Sequence, residues 1–167
     1  MFFRRPKRNR VLFLIDFENI LKNLKQLPSP EDLSFLAGFD RIVKEIAREI
    51  GEIVDVFIFL PPHLASIYGE DLYRAGFFII VCPKVRDKAG EQIDTTDETL
   101  IRFGQRAIDE LNITHLCLGS GDKDFGPLVR RATRKGLKII IATASQQSLA
   151  TELITLADRI FFYSPTE

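Results

Sequence analysis

Apolar residues along this chain fall into short unbroken runs separated by longer stretches of mixed polarity. Val11 to Ile15 (VLFLI) is continuous and stops at Asp16, the pattern of a strand buried on both faces of a parallel sheet. Ile53 to Leu60, stopped by Pro61 and Pro62, predicts a second strand, and Phe77 to Cys82 a third. His115 to Leu118, Leu137 to Ala142 and the short run Arg159 to Phe162 predict three more. Between these runs the period changes from continuous to helical. Ile42, Val43, Ile46 and Ile50 form a stripe of 3.6-residue spacing that Gly51 is placed to end. Ser29 is its candidate N-cap, with Pro30 at the first helical position and Glu31 and Asp32 in the first turn. Further helices are predicted over Leu64 to Ala75, Asp94 to Leu111, from Phe125 to about Lys135, and over Gln146 to Ala157. Pro83 to Gln92 is polar, contains Gly90, and predicts an exposed loop.

Strands alternating with helices imply right-handed βαβ crossovers and a sheet covered on both faces. The expected fold class is therefore α/β: a three-layer α/β/α sandwich with a central, mostly parallel sheet. In such sheets ligands bind outside the carboxyl ends of the strands, where the strand order reverses. The 167 residues suit one domain, expected over residues 10–164 behind an arm of residues 1–9. A chain of this length buries roughly 70% of its unfolded surface, so a core forms without disulfides or a structural metal. Cys82 and Cys117 lie inside apolar runs and read as small core hydrophobes. The longest apolar runs are about half a dozen residues, against roughly 20 needed to cross a bilayer. No membrane partner is expected, and a cytoplasmic location follows by default.

Charge alters this picture by position rather than by sum. The 23 Lys and Arg residues balance 23 Asp and Glu. Arg4, Arg5, Lys7, Arg8 and Arg10, however, put five positive charges in the first ten residues, with no acid among them. The remaining chain is net acidic. The arm reads as a solvated tail, with contact to a polyanion as the minority reading.

Several of those acids fall at predicted strand ends. Asp16 closes strand one, Asp122 and Asp124 come after strand four, and Asp94 and Asp97 open the helix after strand three. If strands one and four are neighbours, these groups meet on one rim. Two carboxylates 4 Å apart repel by about 4 kcal/mol at an effective dielectric near 20, so such a cluster calls for a cation. Hard oxygen donors without His or Cys suit Mg²⁺ or Mn²⁺. These ions activate water and stabilise a leaving oxygen in phosphodiester hydrolysis. Each Asp taken singly could equally be a helix N-cap.

The same residues carry a family resemblance. Ile15-Asp16-Phe17-Glu18-Asn19-Ile20 resembles the hydrophobic-Asp-x-x-Asn opening of NYN domains, in the LabA-like branch of the PIN-like nucleases. Ser120 to Leu128 is similar to that branch's Ser-Gly-Asp-x-Asp-Phe-x-Pro-Leu signature, and Leu156 to Phe161 also looks familial. In the middle segment, Asp97-Glu98-Thr99-Leu100-Ile101 matches the Asp-acid-x-hydrophobic pattern of other NYN branches. Asp97 is thus first choice for the central ligand and Asp94 the reserve.

The resemblance implies a PIN-like fold with strand order 3-2-1-4-5, to which a sixth short strand can be added, and a Mg²⁺- or Mn²⁺-dependent ribonuclease. Asp16, Asp97, Asp122 and Asp124 would hold the metal and its activated water, Asn19 would hydrogen-bond the scissile phosphate or a bound water, and Ser120 would brace the site beside the substrate. Products would carry a 5′-phosphate and a 3′-hydroxyl. For the RNA itself, the loop bearing Lys84, Arg86 and Lys88 should overhang the site and contact phosphates. Arg130, Arg131, Arg134 and Lys135 read as a solvated helix face. Phe17 and Phe125 stand next to the proposed ligands, either packing under the site or touching a base. PIN-like proteins often pair, which makes a homodimer an expectation. There are two rivals: a non-catalytic RNA- or protein-binding regulatory module, and a phosphatase of haloacid-dehalogenase type. The phosphatase needs a second Asp two residues after the first, and Glu18 stands there.

Overall fold

The apolar run near the start of the chain becomes the central strand of a parallel sheet. A computed structural model describes residues 8–24 and 34–163. In chain order these form β1 (Arg10–Asp16), α1 (Phe17–Lys22), α2 (Ser34–Glu49), β2 (Glu52–Leu60), α3 (Pro62–Arg74), β3 (Phe78–Val81), β4 (Val85–Arg86) and β5 (Gln92–Ile93). They continue through α4 (Thr96–Glu110), β6 (His115–Gly119), α5 (Gly126–Arg134), β7 (Lys138–Thr143), α6 (Thr151–Leu156) and β8 (Arg159–Phe162), with single 3₁₀ turns at Lys123–Phe125 and Gln146–Ser148.

Six strands pair in the order β3-β2-β1-β6-β7-β8, every pairing parallel. The order turns back at β1: the chain first adds strands outward on one side of it, then crosses to β6 on the other. That makes the β1–β6 seam the switch point, with Ile15 facing Gly119 at its carboxyl end. The expected α/β sandwich, its strand order and its sixth strand are all observed.

Alternation within β1 explains why its run is unbroken. Val11, Phe13 and Ile15 enter the core shared with α1, α2 and α3, where Phe17, Ile20, Phe39, Ile42, Ile46 and Tyr68 are buried. Leu12 and Leu14 enter the opposite core, with Leu100, Ile108, Leu128, Val129 and Leu153 of α4, α5 and α6. A strand that must bury both faces has no polar positions to spare. Each of these fully buried side chains contributes roughly 1.5–3 kcal/mol of hydrophobic free energy. Cys82 and Cys117 are buried and unpaired by disulfide, as expected. Among the described residues no helix is long and apolar enough to cross a membrane.

Four local features depart from the pattern-based expectations. Phe17–Lys22 forms a separate short helix, because Asp16 both ends β1 and serves as the N-cap of α1. The loop from Pro83 folds back on itself, pairing Val85 with Ile93 and Arg86 with Gln92 in an exposed antiparallel ribbon. The helix expected over Gln146 to Ala157 is divided into a 3₁₀ turn and α6, with Leu149 and Ala150 extended between them. β3 is an edge strand, so Phe78 and Val81 are exposed although their run is apolar. The helix start expected at Ser29 and Pro30, and the basic residues Arg4, Arg5 and Lys7, lie outside the described residues.

Candidate metal centre

Three parts of the chain deliver the acidic residues to the carboxyl rim. β1 ends on Asp16, which is extended (φ −80°, ψ 94°) and whose Oδ1 accepts a hydrogen bond from Asn19 N at 3.2 Å. This cap turns the chain straight into α1 and holds the carboxyl beside the β1–β6 seam. It is a structural role of the kind Asp commonly fills, but it leaves Asp16 only 6% exposed and facing other acids.

The turn after β6 supplies the next pair. Ser120 is fully buried, and its Oγ accepts from Asp122 N at 3.1 Å. Asp122 in turn caps the 3₁₀ turn, its Oδ1 accepting from Asp124 N at 2.9 Å. Two contacts clamp this turn against its neighbours: Gly121 N donates to Asn19 Oδ1 at 3.3 Å, and Gly121 O accepts from Ala150 N at 2.9 Å. The approach is so close that a Cβ on Gly121 would fall 1.9 Å from the Ser148 carbonyl oxygen. Glycine is required here for space.

α4 brings the third group. Asp94 precedes it, with Oδ1 accepting from Thr96 N at 2.8 Å, and Asp97 lies in its first turn. One carboxylate oxygen from each of Asp97, Asp122 and Asp124 lies within 4.8 Å of the others. Asp16, Asp97 and Asp122 line one cavity of about 260 Å³, together with Glu18, Asn19, Lys22, Asp94 and Thr96.

The electrostatics of this cavity are those of an uncompensated acidic site. Burial pushes the Asp16 carboxyl up to about 7, and the negative charges of Asp97, Glu18 and Asp122 add to the rise against the opposing Asn19 N–H bond. Asp97 is raised as well, first by burial and then by Asp122, Asp94 and Asp124, although the first turn of a helix favours negative charge. Asp94 goes the other way. Burial raises it, but the Thr96 backbone N–H, the Thr96 side chain and the charges of Lys84 and Lys22 hold it below the usual carboxylate range. Asp97 therefore belongs with Asp122 and Asp124, while Asp94 borders the same cavity between cations.

Thr96 adds a different signal. It is 3% exposed, and its Oγ1 meets no partner in hydrogen-bonding geometry, although it stands near enough to Asp94 to help hold that carboxyl ionised. Its place in the cavity wall suits a ligand or a ligand's water.

Other residues singled out from the sequence are distributed differently. Asn19 lines the cavity, but its side-chain oxygen is committed to Gly121 N. Ser120 reaches the site through Asp122 and not through the solvent. Lys84, Arg86 and Lys88 are exposed on and around the β4–β5 ribbon, outside the cavity wall, and Arg86 Nη1 donates to Gly90 O at 3.2 Å. Phe17 and Phe125 are fully buried, so both pack beneath the site and neither can meet a base. The basic face of α5 is engaged within the fold: Arg130 pairs with Glu152, and Arg131 and Lys135 pair with Asp109 at 2.6 and 3.2 Å. Lys22 and Thr96 went unnoticed in the sequence. Lys22 stands one helical turn after Glu18, a spacing that could have drawn attention to it, whereas nothing in the pattern marks Thr96.

Comparison with known proteins agrees with this architecture. A protein of unknown function from Vibrio parahaemolyticus has a solved structure that superposes with a TM-score of 0.73 at 16% identity, covering 97% of each chain, a likeness of fold. An uncharacterised protein of Methanocaldococcus jannaschii is 26% identical over 157 residues, 94% of this chain and 56% of its own length. The chain thus spans about half the length of that curated relative. The NYN domain family model matches residues 10–164, and the chain belongs to the NYN domain family.

Proposed function

We propose that this protein is a metal-dependent ribonuclease that hydrolyses RNA phosphodiester bonds at the carboxyl rim of its sheet. NYN domains are PIN-like and generally nuclease-type, which sets the reaction class. The observation that carries the reading is the meeting of Asp97, Asp122 and Asp124 oxygens within 4.8 Å, with Asp97 and Asp122 lining one cavity together with the buried Asp16. Within the family, the run Ser120-Gly121-Asp122-Lys123-Asp124-Phe125-Gly126-Pro127-Leu128 favours the LabA-like branch.

The donor set fits a hard divalent cation. All four groups offer carboxylate oxygen, and among the described residues no His or Cys lines the cavity. Asp16, Asp97, Asp122 and Asp124 would hold Mg²⁺ or Mn²⁺. When bound, such an ion makes a water easier to deprotonate and stabilises the departing 3′-oxygen. The protein's own residues supply placement. The Asn19 amide and the Ser120 hydroxyl fix Gly121 and Asp122, so the β6 turn presents its carboxylates without reorganisation. In the metal-free site burial and the neighbouring acids push the Asp16 carboxyl up to about 7, so it gives up a proton before it can hold the ion. The exposed cations Lys84, Arg86 and Lys88 supply the flanking positive charge that an acidic site needs to retain a polyanion.

The test is cleavage of end-labelled single-stranded and structured RNA by purified protein in Mg²⁺, Mn²⁺ or EDTA, alongside Asp16→Asn and Asp122→Asn. Cleavage should require the metal and fall at least 100-fold in either variant, leaving 5′-phosphate ends. Cleavage that persists in the variants would remove the assignment. RNA binding without cleavage under every metal condition would establish instead a non-catalytic regulatory module.

A further inference from the structure

Among the described residues that line the acidic cavity, Lys22 is the sole cation. It sits on the last turn of α1, and its Nζ lies 3.0 Å from Glu18 Oε1, one turn back on the same helix. Glu18 is mostly buried and Lys22 largely exposed, so the acid acts as a fixed post and the lysine as the group held against it. An exposed i,i+4 pair contributes only about 0.3–0.5 kcal/mol, too little to explain a lysine at this position by stability. Its charge reaches into the site: it helps hold Asp94 ionised, as Lys84 does from the ribbon side.

We propose that Lys22 is a substrate-contacting residue of this site, donating to a non-bridging oxygen of the RNA phosphate that enters the cavity. The inference rests on the ribonuclease reading above. A phosphodiester brought to the rim carries negative charge into a wall of five carboxylates, and the divalent ion faces only one side of it. A second positive group is needed on another side. An ammonium is a compact point charge with three donors on a flexible stem, suited to an oxygen whose position shifts during reaction. The Glu18 tether keeps it at the cavity wall, so that it does not settle among Asp97, Asp122 and Asp124 as a competitor for the cation. Lys22 at the cavity and Lys84 on the ribbon side then offer positive charge on either side of Asp94.

The test separates this inference from the reaction itself. RNA binding is measured by fluorescence anisotropy in Ca²⁺, chosen as an ion that supports binding with little turnover, over a range of salt concentration, for the wild type, Lys22→Met and Lys22→Arg. Mn²⁺ affinity is measured in the same proteins without RNA. Lys22→Met should weaken RNA binding about tenfold and reduce the salt slope by about one contact. It should leave Mn²⁺ binding unchanged or slightly tighter, because a nearby positive charge is gone from the cavity wall, and Lys22→Arg should stay within about threefold of wild type. Equal RNA affinity and salt slope in Lys22→Met would overturn the role of Lys22, even if the wild type cleaves RNA. Weaker Mn²⁺ binding in Lys22→Met would also overturn it, since the residue would then be shaping the acidic cluster. If the wild type cleaves nothing but these binding differences appear, the phosphate contact stands and the ribonuclease reading fails.

Discussion

Replacing Asp16 by Asn should make the metal-free protein more stable while disabling its site. In the folded state the carboxyl titrates at about 7, against an ordinary value of 3.8, because burial and three neighbouring acids disfavour its charged form. A group with a raised folded pKa favours the folded state below its unfolded value, and that contribution is lost as pH climbs through the folded value. For Asp16 the loss runs from about pH 4 to about pH 7. At about 1.4 kcal/mol per pKa unit, the full displacement is worth roughly 4 kcal/mol above pH 7. Asn is nearly isosteric, keeps an oxygen for the Asn19 N–H, and carries no charge. It should therefore recover most of that energy at pH 8 and little at pH 4. For a domain of this size 1 kcal/mol moves Tm by roughly 2–4 °C, so a gain of order 10 °C is expected at pH 8. The assay is thermal unfolding by circular dichroism in EDTA, for both proteins, across pH 4 to 8. A variant that gains nothing at pH 8 relative to pH 4 would refute the reasoning.

The same geometry sets further expectations. In wild type, Mn²⁺ affinity measured by calorimetry should weaken as pH falls below about 7, because Asp16 must give up a proton before it can ligate; an affinity flat from pH 8 to pH 5 would contradict this. Gly121→Ala should lose at least about 3 kcal/mol of stability, visible as a depressed Tm, because its Cβ meets the Ser148 backbone at 1.9 Å. Thr96→Val should move the Asp94 carboxyl up towards its ordinary value, because the Thr96 side chain helps hold it ionised; an NMR titration of Asp94 that does not move would contradict this. Neutralising Lys84, Arg86 and Lys88 together to Gln should leave Tm within about 1 °C and lower the salt slope of RNA binding by two to three contacts, since all three are exposed.

How much of the fold and site is legible in the sequence depends on the range of the interaction involved. Strands buried on both faces declare themselves, because every position of VLFLI must be apolar, and the alternation of six strands with helices is visible directly. Asp16, Asp97 and Asp122 are legible as strand-end and helix-start acids. Elements held by single residues are not. α1 is six residues long and owes its start to Asp16, which reads equally well as the end of a strand. The ribbon consists of two-residue strands, shorter than any period. FFIIVC is apolar throughout, yet Phe78 and Val81 are exposed because β3 lies at the sheet edge, where the strand order implied by the family resemblance puts it and where no local pattern does. The basic helix face reads as solvated and lies at the surface, but the surface pairs of Arg130 with Glu152 and of Arg131 and Lys135 with Asp109 join residues far apart in the chain, which no local pattern encodes. Thr96 is identifiable as a site residue only from its place in the cavity wall beside Asp94.

The proposed reaction requires a divalent cation held jointly by carboxylates from β1, α4 and the β6 turn. It is tested most directly by titrating Mn²⁺ into protein and labelled RNA while monitoring ion occupancy by electron paramagnetic resonance and cleavage rate in the same sample. The account predicts that the rate rises in proportion to occupancy of a saturable site, and that Asp97→Asn weakens occupancy and rate together. A rate that is independent of Mn²⁺ occupancy, or occupancy unchanged by Asp97→Asn, would contradict it.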